Sequence, residues 1–205
     1  MSTSFGKTKD EVFKSLHYEI LKPLGFKKNG LRSQINKGDL SRAILCWSNQ
    51  WGNEFQIFAT VTHYDYLIFR YPQHSESFSN RLIGQNYPPL AEVSLRGLDK
   101  DSARFWSLGF ETSQATLLEI CAEVKHVVSN YGLAILEQFR TLEGVLEFYQ
   151  NQENPILKYE EYSWLLMYLN KKAESIKLVE TAIKSAPHQN AKLFAEKWLE
   201  RIKNG

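Results

Sequence analysis

The sequence has few of the residues that mark nucleotide binding, disulfide frameworks or membrane spans. Its 205 residues include two cysteines, six prolines and eleven glycines, and the glycines stand singly along the chain. Phosphate-cradling loops need clustered glycines ahead of a helix, which argues against nucleotide binding by that route. Cys46 and Cys121 each lie in an apolar segment. We expect both to be buried thiols in a reducing compartment.

Long hydrophobic runs and a strong charge of one sign are also missing. No segment approaches the about 20 apolar residues that span a bilayer. The N-terminal segment does not combine a basic start with an apolar run, as a signal peptide would. The formal net charge is +2, which by itself predicts no polyanionic partner. We therefore expect a cytoplasmic protein without a membrane association.

The first 36 residues predict a helix and then a strand. Thr8 and Glu11 have the spacing of a capping box, which favours a helix start at this point. Pro23 is expected to end the helix near Leu21, and Gly25 to allow the following turn. Apolar residues at helical spacing mark the buried face: Phe13, Leu16, Ile20 and Leu24.

The next segments predict an antiparallel β-meander. Strands are expected over Leu31–Asn36 and Leu40–Ser48. A third strand is the clearest, because Phe55 begins a strict alternation of side chains that continues to Val61. Tyr64–Tyr71 is a candidate fourth strand, Ala91–Leu98 is a candidate for closing the sheet, and the segment 70–90 is either a binding loop or a connection packed by tyrosines.

From Thr112 onward the apolar pattern becomes helical. Thr112 or Ser113 is expected to cap a helix that ends at Gly132, and Thr141 to cap a later one. The apolar face of the long helix is marked by Leu117, Cys121, Val124 and Val128. The predicted fold class is therefore α+β, with an N-terminal helix, an antiparallel meander packed with helices, and an all-α C-terminal hairpin.

The segment Asn151–Pro155 is expected to separate two domains, 1–151 and 152–205. Beyond it, the spacing resembles a single tetratricopeptide repeat, in which two antiparallel helices interlock through large and small residues. The matching residues are Tyr159, Tyr162, Ser163, Leu166, Val179, Ala182 and Pro187. One repeat cannot bury its own apolar face. The appendage is therefore expected to pack on the first domain, or on another copy in a homo-oligomer.

The run ILKPLGFKKNG, followed by a strand and by CWSNQWGNEFQIFATV, resembles the bacterial family catalogued as domain of unknown function 4304. That family has a helix ending in a Gly-Phe-Lys/Arg-Lys turn, then strands that run through a Trp-Gly-rich hairpin. The resemblance covers about the first two-thirds of the chain by motif order. It implies a fold and, because some members are thought to be immunity-like proteins near toxin systems, binding of a toxin. It implies no catalytic residue.

No catalytic or metal-binding signature is found in the sequence. The five histidines lack the spacing of metal ligands, and no cofactor is predicted. His63 and His74 are the exception worth testing, since the excursion at 64–80 can bring them together near the sheet. An enzyme with a dispersed site there is therefore one alternative. The adjacent Glu160 and Glu161 are expected to face water.

Aromatic residues are the one compositional excess, with five tryptophans, ten tyrosines and twelve phenylalanines. Trp47 and Trp51 flank a predicted hairpin turn, with Arg42 close in sequence. Lys27 and Lys28, in the turn after the first helix, complete the candidate interaction surface. Such residues anchor protein partners or stack on nucleic-acid bases. Residues 1–42 hold nine basic and four acidic side chains, a slight excess for a nucleic-acid footprint. We predict a non-enzymatic protein-interaction domain, with a nucleic-acid-binding accessory protein as the alternative.

Overall fold

The structure, a computed structural model, describes residues 5–48, 54–74, 87–96, 98, 106–108 and 112–204. The chain forms two compact units, Met1–Phe139 and Arg140–Gly205. The predicted division into two domains, 1–151 and 152–205, stays a prediction.

An antiparallel sheet forms the centre of the first unit and confirms the predicted α+β fold. Its strands follow one another in the order β1 to β5, and β6 pairs with β4 beside that path. The strand bounds are β1 Lys27–Asn29, β2 Arg32–Lys37, β3 Leu40–Ser48, β4 Glu54–His63, β5 Ala91–Ser94 and β6 Trp106–Ser107. The predicted bounds of β3 agree with the structure, and the segment expected to close the sheet contains β5.

The start of the first helix differs from the prediction. Helix α1 spans Phe5–Leu16, so it begins three residues before the expected cap. Thr8 and Glu11 therefore lie inside the helix, and the predicted capping box is wrong. Thr8 is instead a buried residue within the helix.

The end of α1 departs from regular helical geometry. A π-helical turn covers His17–Leu21 and a 3₁₀ turn covers Lys22–Leu24. Gly25 then has a φ of +86°, as the prediction of a glycine turn required. Because a π turn holds more residues than an α turn, it rotates the side chains that follow it. Leu21 is consequently fully buried, whereas Leu24, expected on the apolar face, is 50% exposed.

The segment after β4 is a helix and not the candidate fourth strand. Helix α2 spans Tyr64–Arg70, and the ring Nδ1 of His63 accepts the backbone N–H of Asp65 at 3.2 Å. Tyr66 and Leu67 are both buried. By periodicity alone, a short apolar run of this kind fits a buried strand or a buried helix equally well. The cap that His63 provides at its start favours the helix.

Two joined helices cover one face of the sheet together with α1. Helix α3 spans Gln114–Val127, and Ser113 Oγ caps it by accepting the N–H of Thr116 at 3.1 Å. A π-helical turn over Val128–Gly132 leads directly into α4, Leu133–Gln138. The prediction that Gly132 ends the helix is therefore wrong.

Gly132 has a packing role. A Cβ atom built on Gly132 would lie 2.9 Å from Leu95 Cδ1 and 3.4 Å from Ile44 Cδ1. The absence of a side chain therefore allows the helix backbone to approach the sheet closely. The core between the sheet and these helices includes Val12, Phe13, Leu16, Ile44, Cys46, Ile57, Ala59, Leu117, Ile120 and Val124.

The second unit is all helical. Its helices are α5 Leu142–Gln150, α6 Tyr159–Tyr168, α7 Lys172–Lys184 and α8 Gln189–Asn204, and Thr141 caps α5 as predicted. Helices α6 and α7 pack as a hairpin, which confirms that part of the predicted fold. The likeness to a tetratricopeptide repeat and the packing of this unit on the first domain or on a second copy stay predictions. Glu161 is buried and Glu160 is half-buried, so the expectation that both face water is wrong.

A buried serine joins three helices of the second unit. Ser163 Oγ on α6 accepts the indole N–H of Trp198 on α8 at 2.8 Å. Its backbone carbonyl accepts the hydroxyl of Ser175 on α7 at 2.7 Å. All three residues are buried. A small side chain at position 163 thus lets the large indole enter and also satisfies its N–H.

We expect Gly132→Leu to lower the free energy of unfolding by about 1–3 kcal/mol, because the new side chain overpacks the space occupied by Leu95 and Ile44. Ala134→Leu is the matched control, since Ala134 lies two residues on and is exposed. It should change stability by no more than about 0.5 kcal/mol. Chemical denaturation measures both. Equal effects of the two substitutions would refute the packing role of Gly132.

Ser163→Ala should cost about 1–3 kcal/mol of stability, because it leaves the buried indole N–H of Trp198 without its acceptor. Trp198→Phe removes the donor instead. In the double variant the cost should be smaller than the sum of the two single effects, since neither partner is then left unsatisfied. Additive costs in the denaturation curves would show that the hydrogen bond contributes nothing to stability.

Candidate interaction surface

Strand register decides which side chains share a face of the sheet. Directly opposed residues of antiparallel strands point to the same side, and successive residues alternate. One face carries Ile44, Cys46, Ile57 and Ala59, which contact the helices; we call it the helix-covered face. The other is called the second sheet face. It carries Lys27, Arg32, Gln34, Ala43, Leu45, Trp47, Gln56, Phe58 and Thr60.

The predicted surface residues are divided between the two faces. Trp47, opposite Gln56, lies on the second sheet face and is 56% exposed. Lys27 is exposed on the same face. Lys28 and Arg42 point to the helix-covered face. Trp51 lies outside the described residues.

Arg42 joins the sheet to helix α4. Its Nη1 donates to the carbonyl of Leu136 at 2.8 Å and lies 3.6 Å from Glu137 Oε2. A cation near the C-terminal end of a helix also interacts favourably with the helix dipole. The guanidinium is thus committed to an intramolecular contact between residues 94 positions apart in sequence. Lys28 is also held inward, with its Nζ 5.9 Å from the ring centroid of Phe13.

Trp47 belongs to an apolar patch on two neighbouring strands. Leu45 lies two residues before it on β3, and Phe58 is directly opposite Leu45 on β4. Both are half-buried. We call Leu45, Trp47 and Phe58 the Trp47 patch. Its side chains project from strands that are paired along their whole length, so the backbone beneath the patch is rigid.

A buried cation borders the Trp47 patch. Arg32 is opposite Leu45 on β2, and its Nε donates to Gln34 Oε1 at 3.0 Å. Burial lowers the pKa of Arg32 to about 10, which leaves the guanidinium charged at neutral pH. Sequence inspection alone did not single out Arg32, because only the register shows that it shares a face with Trp47.

The structure places His63 and His74 at opposite ends of α2. Helix α2 spans the seven residues that follow His63, and His74 ends the 3₁₀ turn Pro72–His74 beyond it. His63 is buried and caps α2. Burial lowers its pKa, and the nearby Asp65 and Asp39 offset part of this effect. A shared site formed by His63 and His74 stays a prediction.

Both cysteine thiols are buried, as predicted. Burial raises the pKa of Cys46 to about 12 and also raises the pKa of Cys121. A nucleophilic cysteine needs a lowered pKa and access to solvent, so neither thiol is suited to that role. Within the ranges that the structure describes, no group of three or more His, Cys, Asp or Glu residues is placed to hold a metal ion.

Ring contacts join the two ends of the predicted excursion at 70–90. The ring centroid of Tyr87 lies 5.1 Å from that of Tyr71 and 5.8 Å from that of His74. Arg70 lies over the ring of Tyr71 at 5.6 Å. Residues 75–86, where a binding loop was considered, lie outside the described residues.

Comparison with known proteins gives no relative: no family model, no curated protein and no solved structure matches the chain. The resemblance to the domain of unknown function 4304 therefore stays a prediction. Among the described residues, no helix has both the length and the apolar composition that crossing a membrane requires.

We expect stability to fall as the pH drops below about 6.5, the ordinary pKa of histidine. His63 and the buried His17 have lowered pKa values in the folded protein; for His17 the causes are burial and then Lys28 and Lys22. Between the unfolded and the folded pKa, the unfolded chain binds protons that the native state does not. Each histidine then contributes a slope of at most about 1.4 kcal/mol per pH unit.

His63→Asn tests this expectation, because asparagine can cap a helix and does not titrate in this range. The variant should keep wild-type stability near pH 8 and lose less stability between pH 6.5 and 5. Denaturation curves at several pH values give both quantities. His17→Asn should reduce the slope independently. A slope unchanged in both variants would mean that neither imidazole is kept neutral by the fold.

Proposed function

We propose that the protein is a non-enzymatic binding domain that holds a partner protein through the Trp47 patch. The observation that carries this proposal is the exposure of Trp47, at 56% of its surface, beside Leu45 and Phe58 on the second sheet face. Tryptophan is enriched among the few residues that dominate binding energy in protein interfaces.

The rigid position of Trp47 supports a binding role. The residue is part of the β3–β4 ladder, where it is paired with Gln56. Binding therefore orders little more than the side chain itself. An anchor that is ordered in advance gains affinity because less conformational freedom is lost on association.

The distribution of basic residues favours a protein partner over nucleic acid. Of the three cations predicted for the surface, Lys27 shares the face of Trp47, whereas Lys28 and Arg42 point to the helix-covered face. Nucleic-acid binding requires several cations aligned along one surface. The nucleic-acid-binding accessory protein is therefore the weaker proposal.

The environments of the candidate catalytic groups support a non-enzymatic role. His63 serves as a helix cap, and burial raises the pKa of both thiols. The position of His63 therefore does not support a catalytic role for this residue. The resemblance to the domain of unknown function 4304 supports a more specific form of the proposal, in which the partner is a toxin and the protein acts as its immunity-like binder.

The test is a quantitative comparison of partner binding by two variants. A tagged wild-type protein is first used to isolate its partner from nuclease-treated lysate, and the partner is then purified. Trp47→Ser should weaken binding by at least about 30-fold, which corresponds to about 2 kcal/mol for an interface hot spot. Tyr18→Ser is the matched control, because Tyr18 is 58% exposed on α1's π-helical continuation. It should bind like the wild type.

Thermal unfolding of both variants checks that the fold is kept, since surface substitutions change stability by about 0.5 kcal/mol or less. Equal affinities of Trp47→Ser and the wild type would refute the Trp47 patch as the binding site. Untreated lysate is compared in parallel. If material is retained from the untreated lysate but lost after nuclease treatment, nucleic-acid binding replaces this proposal.

A further inference from the structure

Two buried hydroxyl groups oppose each other near one end of the β3–β4 ladder. Ser41 on β3 pairs with Thr62 on β4, next to the terminal pair Leu40–His63. Because side chains alternate along a strand, both hydroxyls lie on the second sheet face, at the end of β3 away from Trp47. The side chains of Ser41 and Thr62 are 3% and 1% exposed. Bulk solvent therefore reaches neither group.

Both hydroxyl groups are unpaired. Among the described residues, neither Ser41 Oγ nor Thr62 Oγ1 has a hydrogen-bond partner. The large majority of buried polar groups in proteins are hydrogen-bonded, and a buried group that lacks a partner destabilises the fold. Since the two groups occupy directly opposed positions, a single partner between them would satisfy both.

A neighbouring hydroxyl shows that burial in this sheet does not by itself leave a hydroxyl unpaired. Thr60 lies two residues before Thr62 on the same face, and its side chain is also fully buried. Its hydroxyl donates to the backbone carbonyl of Ala43 at 3.4 Å. The pair formed by Ser41 and Thr62 is therefore a local exception that calls for a partner of its own.

The geometry and the chemistry of the two groups restrict what this partner can be. Opposed side chains on paired strands have Cβ atoms about 4.5–5.5 Å apart, so one atom at about 2.8 Å from each hydroxyl oxygen can reach both. A hydroxyl is uncharged, and it both donates and accepts hydrogen bonds. An ion would lose its hydration there without an opposite charge to offset the loss. The partner is therefore small, neutral, and both a donor and an acceptor.

We propose that one buried water molecule bridges the hydroxyl groups of Ser41 and Thr62. Buried waters make about two to four hydrogen bonds to polar groups that would otherwise be unsatisfied, and they are part of the folded structure. This water joins β3 to β4 through their side chains, beside the end of the ladder from which α2 continues at Tyr64. The site is independent of the Trp47 patch and of the proposed protein partner.

A high-resolution crystal structure of the full-length protein tests the geometry. We expect an electron-density peak at about 2.5–3.0 Å from both Ser41 Oγ and Thr62 Oγ1. Crystals of the double variant Ser41→Ala/Thr62→Val should lack this peak, because both polar partners are then removed. Hydrogen bonds from the two hydroxyls to each other or to backbone carbonyls, with no peak between them, would overturn the proposal.

Chemical denaturation gives an independent test through the direction of the stability change. Ser41→Ala and Thr62→Val should each lower the denaturation midpoint, since each takes one partner from the water. The double variant should lose less than the sum of the two single losses, because the two groups share that partner. Removal of a hydroxyl that has no partner would instead raise the midpoint.

Thr60→Val is the matched control for the denaturation test, because the Thr60 hydroxyl bonds to the carbonyl of Ala43. Its effect should add to that of Ser41→Ala, since the two side chains share no partner. Raised midpoints in Ser41→Ala and Thr62→Val, or strictly additive losses in their double variant, would overturn the proposal.

Discussion

The first unit depends on the register between β3 and β4. Leu40 pairs with His63 at one end of this ladder and Ser48 with Phe55 at the other. Because side chains alternate along a strand, a slip of one residue would exchange the two faces. Ile44 and Cys46 would leave the core, and Trp47 would enter it. The core and the proposed binding surface are therefore two consequences of one set of backbone hydrogen bonds.

The helices adapt to this sheet through local departures from α-helical geometry. Of the described helices in the first unit, α1 and α3 each continue into a π-helical turn. The first turn brings Leu21 into the core. The second precedes the close approach at Gly132. Lys125 and Glu19, whose side chains are 2.8 Å apart, join the two helices near these turns. The helices therefore pack on the sheet through local changes in their own backbone geometry.

Local patterns predicted the meander because alternation and turn residues act over a few positions. They missed the π turns, since spacings of three and four residues assume a constant 3.6-residue period. They also misassigned Gly132 as a helix end. The residues that leave no room for a side chain there, Leu95 and Ile44, are distant in sequence. The same limit applied to the candidate surface. Alternation within one strand predicts that Trp47 and Arg42 point to opposite faces, but only the structure shows which of the two faces the helices cover.

The position of β1 gives Lys27 and Lys28 a further meaning. Strand β1 has three residues and pairs only with β2 among the described strands, so it forms a sheet edge. Long apolar edges recruit strands from other molecules, and short edges with lysines resist this. With one lysine directed to each side, this edge is protected against intermolecular strand addition. The two lysines thus have a role at this edge that does not depend on which molecule the sheet face binds.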